Sequence, residues 1–101
     1  MTEQIIQRGL LIGGKEIDAA DGSVLEIINP ANARVVARVA SAGESDIDEA
    51  VTMARETFES GVWSEMPIWD RARTLNRFAD TIDDHIEELF RLETLNNGRP
   101  I

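Results

Sequence analysis

The apolar residues of this chain change period near Ser41, and that change limits the folds open to it. Before Ser41 they come in short runs separated by turn formers. After it they recur at helical spacing. Leu10-Leu11-Ile12 precedes Gly13-Gly14 and then Lys15-Glu16-Ile17. A Gly-Gly pair between two short runs suits a tight hairpin, because both positions tolerate positive φ. Asp21-Gly22 is a second turn signal. Val24–Ile28 reads as a strand ended by Asn29-Pro30, since Pro30 has no N–H to give a ladder. Arg34–Val39 reads as the returning strand. Val35, Ala37 and Val39 lie on one face, and Arg34, Val36 and Arg38 on the other.

From Ser41 onward the spacing predicts helices. Ser41–Glu44 has capping-box spacing, and Ser45–Asp48 offers it again a turn later. Ile47, Ala50, Val51, Ala54 and Phe58 form one apolar stripe, which Ser60-Gly61 ends. Pro67 opens the next helix as its first residue, where a missing donor costs nothing. Leu75, Phe78, Ala79 and Ile82 are its expected buried stripe. Asp83-Asp84-His85 marks a kink or restart. Ile86, Leu89, Phe90, Leu92 and Glu93 carry a further segment to the stop at Asn97-Gly98 and Pro100. The expected fold is α+β, with two short antiparallel hairpins followed by two or three amphipathic helices. There is no internal repeat or linker, so residues 1–101 read as one domain.

Charge and composition narrow the function classes. The formal charge is −9, which repels nucleic-acid backbones, and no Lys/Arg cluster offers a local exception. Anionic membrane surfaces are disfavoured for the same reason. No apolar run is long enough to cross a bilayer, and Ile5–Ile12, broken by Gln7 and Arg8, does not read as a signal peptide. A cytoplasmic location is expected. Without cysteine there is no disulfide, no thiolate metal site and no cysteine nucleophile in these residues.

Residues that suggest chemistry have plainer readings. Gly13-Gly14 is a hairpin turn rather than a phosphate loop, because no helix follows it at dinucleotide spacing. His85, the one histidine, has neither a nucleophile nor metal ligands near it in sequence and reads as a surface or capping residue. Asp80, Asp83, Asp84, Glu87 and Glu88 form a solvated helix face. Trp63 and Trp69 are expected to be packing anchors rather than a ligand-stacking pair. Pattern alone describes an α+β module without a stated function.

Five stretches go further. IGGKEID (residues 12–18), EIINPANARVVARV (26–39), ESDIDEAVTMARETFES (44–60), WSEMPIWDRARTLNRFADTI (63–82) and EELFRLETLNNGRPI (87–101) follow one another in an order and at separations that resemble the start of the NAD(P)-dependent aldehyde dehydrogenase superfamily. Together they cover nearly the whole chain from Leu10. The resemblance implies an incomplete piece, the N-terminal part of the coenzyme-binding domain, with its helices covering a sheet that later strands complete. In the family a cysteine thiolate attacks an aldehyde, hydride passes to NAD or NADP, and the resulting thioester is hydrolysed. The cysteine, the base glutamate and the oxyanion asparagine have no counterpart here. The implied partners are the remainder of the subunit and, in the full enzyme, further copies of it. The rival reading is an autonomous module that binds a protein through an apolar helix face.

The resemblance also implies a monovalent cation held by the carbonyls of Ile27 and Ile28 and the side chain of Asn96. Asn96 stands where the family commonly has Asp, so the site is expected to be weak, and the rival role for Asn96 is a helix-end cap. Other departures are Arg99 for Lys, His85 for an Asn or Asp cap, and Ala33 for Gly. At that last turn Asn32 is expected to take the left-handed conformation instead.

Overall fold

The structure, a computed structural model, describes residues 4–98; Arg99 and Pro100 of the closing turn lie outside them. Five short strands precede three helices: β1 Ile6–Arg8, β2 Leu10–Ile12, β3 Lys15–Ile17, β4 Val24–Ile28, β5 Val35–Ala40, α1 Glu44–Ser60, α2 Ile68–Asp84 and α3 Ile86–Asn97. The α+β class and the change of period after Ser41 are as the sequence predicts.

Both expected hairpins form. β2 pairs antiparallel with β3, with Leu10 opposite Ile17 and Ile12 opposite Lys15. Gly13 and Gly14 between them have φ of 60° and 77°, the pair of left-handed residues that a two-residue hairpin loop needs. β4 pairs antiparallel with β5, and the opposed Glu26 and Arg38 form an ion pair at 3.4 Å. Ile27 faces Ala37 but Ile28 faces Val35, so Val36 is an extra residue on β5 and the ladder bulges there. The alternation read along Arg34–Val39 is therefore interrupted at Val35–Val36.

One strand is absent from the sequence reading. β1 runs parallel to β5, with Ile6 opposite Ala37 and Arg8 opposite Val39, giving a three-stranded sheet in the order β1-β5-β4. A three-residue strand containing Gln7 and Arg8 carries no alternation to detect, and its partner lies 31 residues on in the pairing Ile6 to Ala37. Gly9 follows it directly. A Cβ on Gly9 would collide with the Ile17 carbonyl, so glycine allows β1 and the hairpin to approach.

The β4–β5 turn differs from expectation. Asn29 accepts from the Ala33 N–H on its carbonyl (2.8 Å) and from the Ala31 N–H on its side chain (2.9 Å). The left-handed residue is Ala33, with φ 60°, and not Asn32. Asn32 instead uses its side-chain oxygen to accept from the Arg34 N–H at 3.0 Å. A short polar side chain can close an Asx turn from an ordinary backbone conformation, which leaves the left-handed step to the next residue.

The helix ends also move from the expected residues. α1 starts from Gly43, not from Ser41 or Ser45. The Asp46 carboxylate accepts from the Gly43 N–H at 2.9 Å, which is the reciprocal half of a capping box. Pro67 is the residue before α2 rather than its first turn. His85 both ends α2 and precedes α3, and it makes no side-chain cap; its Nδ1 lies 2.8 Å from the Thr81 carbonyl oxygen. Gly61 and Gly98 end α1 and α3 in the left-handed conformation, as the helix stops in the sequence predict.

The expected burial is not found. Ala19 is the one buried hydrophobic among the described residues. The stripe of α2 is open to solvent, with Leu75 57%, Phe78 64% and Ile82 38% exposed. On α1 the stripe divides. Ala50 is half-buried while Ile47, Val51 and Phe58 stand free. The Cα radius of gyration is 17.3 Å, against about 13 Å for a compact domain of about this length. The helices are amphipathic as read, but among the described residues the hairpin side of α1 gains only partial cover, and the stripe of α2 gains none.

Candidate functional site

An open groove of about 630 Å³ lies between the β2–β3 hairpin and α1. Leu11 to Gly14 form one wall and Ala50, Met53, Ala54 and Phe58 the other, with Trp63 and Ser64 at one end. The helical period puts Ala50, Met53 and Thr57 on the side of α1 that meets the hairpin. A Cβ on Gly13 would stand 3.0 Å from Met53 Cε, so the turn is seated on that side chain. The groove walls hold no carboxylate or imidazole. Apart from the hydroxyls of Ser64 and of Thr57, which donates to the Met53 carbonyl, their side chains are apolar.

A second hollow, about 380 Å³, lies between the hairpin and the sheet. Arg8, Glu16, Asp18 and Arg38 border it. Arg8 pairs with Glu16 at 3.6 Å and Arg38 with Glu26 at 3.4 Å, so both guanidinium groups already face carboxylates. At its edge the Asp21 carboxylate accepts from the Ser23 N–H at 2.9 Å. That bond holds its pKa below the ordinary aspartate value.

The carboxylates singled out in the sequence do not form an acid/base pair. Asp80, Asp83, Asp84, Glu87 and Glu88 are all exposed. Among the described residues no group of three or more His, Asp and Glu side chains could hold a metal ion. Trp63 ends the groove, but Trp69, expected as a packing anchor, is 78% exposed.

The carbonyls of Ile27 and Ile28 lie at the bulge of the β4–β5 ladder. Asn96 is an exposed residue of α3, two positions before the C-cap. The cap itself is Gly98, whose N–H donates to the Thr94 carbonyl at 2.9 Å, so the capping role considered for Asn96 falls to glycine. Gly98 abuts the β4–β5 turn, since a Cβ on it would stand 3.0 Å from Pro30 Cγ. The end of α3 and the start of that turn are thus neighbours.

Asp46 is the one polar side chain buried among the described residues, at 4% exposure. Its place in the first turn of α1 suits the positive end of the helix dipole. Its oxygens also accept from the Ala20 N–H at 3.1 and 3.3 Å. The legible signal was an acid three residues after Gly43; the distant partner, Ala20, leaves no mark in the sequence.

Comparison with known proteins settles the family. The model of the aldehyde dehydrogenase family matches residues 17–101. The chain belongs to the aldehyde dehydrogenase family. It is 41% identical over 97 residues to the mitochondrial aldehyde dehydrogenase family 2 member B4 of Arabidopsis thaliana, covering 96% of this chain and 18% of that protein. It is 41% identical over 93 residues to the cytosolic 10-formyltetrahydrofolate dehydrogenase of Xenopus tropicalis, covering 92% of this chain and 10% of that protein. Among solved structures, an NAD+ complex of aldehyde dehydrogenase from Bacillus cereus superposes with a TM-score of 0.88 at 45% identity, over 93% of this chain and 19% of that one. Betaine aldehyde dehydrogenase from Staphylococcus aureus also gives 0.88, at 35% identity. The chain therefore spans about a fifth or less of the length of these aldehyde dehydrogenases. No helix among the described residues is long and apolar enough to cross a membrane.

Proposed function

We propose that residues 1–101 are a single incomplete domain, the N-terminal scaffold of the coenzyme-binding domain of an NAD(P)-dependent aldehyde dehydrogenase. The observation that carries this reading is the match of nearly the whole chain, at 45% identity, to 19% of an NAD+-bound relative. The partner is the remainder of such a subunit, and further copies assemble with it; the location is cytoplasmic. The oxidation of an aldehyde to an acid, and the binding of NAD or NADP, belong to the longer protein. These residues contain no cysteine to attack the aldehyde.

The test has two arms. The purified chain, given an aldehyde and NAD or NADP, is expected to produce no reduced coenzyme above a blank, and measurable turnover overturns the scaffold reading. The coding DNA past Ile101 is expected to continue in frame into a cysteine-containing segment. A stop codon there favours the second reading, an autonomous module that binds a protein partner. The free faces of α1 and α2 are the observation that supports it.

The cation reading is a further part of this proposal. The carbonyls of Ile27 and Ile28 and the side-chain oxygen of Asn96 form an all-oxygen donor set suited to a hard monovalent ion. The nearness of Gly98 to Pro30 supports it, because it brings the two segments together. With an amide in place of a carboxylate the set lacks formal charge. A unit charge at about 4 Å is worth roughly 4 kcal/mol at an effective dielectric near 20, before desolvation. Stability is therefore expected to be nearly indifferent to potassium, and Asn96→Asp in the full-length enzyme is expected to make it potassium-sensitive. A melting temperature that ignores potassium in both forms overturns the assignment.

A further inference from the structure

We propose that Asp46 is a conformational clasp, holding α1 to the Asp18–Gly22 segment and so fixing the groove between α1 and the β2–β3 hairpin before any further chain covers it. A buried carboxylate is expensive unless its lone pairs are occupied. Asp46 is 4% exposed, and none of the ion pairs formed among the described residues involves it. Backbone N–H groups take the place of a cation. Ala20 donates to both oxygens at 3.1 and 3.3 Å, and Gly43 donates to Oδ2 at 2.9 Å. One bond closes the start of α1 on itself, while the other reaches 26 residues back along the chain. Ala19, the one hydrophobic buried among the described residues, is next to the far donor. The clasp thus ties the buried Asp46 carboxylate to the backbone beside Ala19.

Both oxygens of Asp46 accept from Ala20, and Oδ2 accepts from Gly43 as well. Asparagine is isosteric, but one of its two terminal atoms is an NH2 group. At the Oδ2 position that group faces the Gly43 N–H; at the Oδ1 position it faces the Ala20 N–H, which keeps only the longer bond, at 3.3 Å, to an uncharged oxygen. An ordinary helix cap needs only the Gly43 bond. The two roles separate at Ala20, because only a clasp protects that amide through residue 46.

Amide hydrogen exchange on the whole chain, resolved to single residues, makes the test. In the unsubstituted chain the Ala20 and Gly43 amides are expected to be protected together. Asp46→Asn is expected to speed exchange at both by about tenfold or more, since bonds to a charged acceptor are among the stronger ones. An Ala20 amide that exchanges at the free-peptide rate before substitution, or at an unchanged rate after it, overturns the clasp. Should Asp46→Asn unfold the whole chain, Ala20→Pro removes the far donor alone. It is then expected to loosen Gly43 by a smaller factor, because α1 is no longer held from that side. Gly43 protection unchanged in Ala20→Pro leaves Asp46 as a cap only and also overturns the proposal.

Discussion

The strand layer with α1 and the pair α2–α3 are built on the same amphipathic principle, yet only the first is tied together. Its strands close a ladder, its turns carry left-handed glycines, and Asp46 links α1 to the segment before β4. In α2 and α3 the bonds described are local. Thr74 and Thr81 donate to carbonyls four residues earlier, and Arg73 donates to Asp70. The apolar stripe of α2 is as regular as that of α1 and remains in solvent; on α3 Leu89, Phe90 and Leu92 are exposed and Ile86 is half-buried. Periodicity is therefore a statement about which face can be buried. Burial itself needs an opposing surface, which the strand layer gives to one side of α1 and which the described residues do not give to the stripe of α2.

The largest effect expected from this difference is on the chain as a whole. Measured alone, it should self-associate or unfold in part, because burial at roughly 25 cal/mol per Å² has little area with which to offset the ordering entropy. Sedimentation and thermal melting at several concentrations check this. A sharp, concentration-independent melt of a monomer would place α2–α3 on the same footing as the strand layer.

Phe78→Ala sharpens the contrast. At 64% exposure it is expected to change the stability of this chain by less than about 0.5 kcal/mol. If a full-length subunit covers the stripe as proposed, the same change there should cost about 3–5 kcal/mol. Equal costs in the two settings, read by denaturant unfolding, would show that α2 needs no cover. Within the strand layer, Gly9→Ala is expected to cost about 1–3 kcal/mol as the new Cβ displaces the Ile17 carbonyl. That loss should register in the exchange of the β1–β5 amides while α3 is unaffected. One substitution is expected to give a gain. Ala33 holds φ 60°, which costs an L-residue about 1–2 kcal/mol, whereas glycine adopts it freely at an entropic cost of roughly 0.5–1 kcal/mol. Ala33→Gly should therefore stabilise the β4–β5 hairpin by up to about 1 kcal/mol. A fall in stability would show that the methyl group packs more usefully than its backbone strain suggests.

Much of the first region was legible because its signals are local. Gly13-Gly14, Asn29-Pro30, Gly61 and Gly98 act within a few residues, and the elements they bound appear where the pattern puts them. The errors cluster where a distant group decides. β1 exists because β5 offers it an edge, and Asp46 is buried where the Ala20 N–H, 26 residues back, meets it. Of the candidate cation ligands, only the Asn-Pro break and the Asn-Gly stop were visible as local features. That they lie close together, through Pro30 and Gly98, depends on the path of three intervening helices.

By itself the sequence determined the α+β class, the order of the elements, their turns and the apolar face of each helix, and five ordered stretches were enough to point to the family. These follow from backbone stereochemistry and side-chain period, which neighbours along the chain set almost alone. Only the tertiary structure decided that β1 lies parallel to β5, that Ala33 rather than Asn32 turns left-handed, that a buried carboxylate joins Ala20 to α1, and that the stripes of α2 stay uncovered. Each of these depends on a surface or donor brought from elsewhere in the chain, or missing from it, and no local pattern of residues records which.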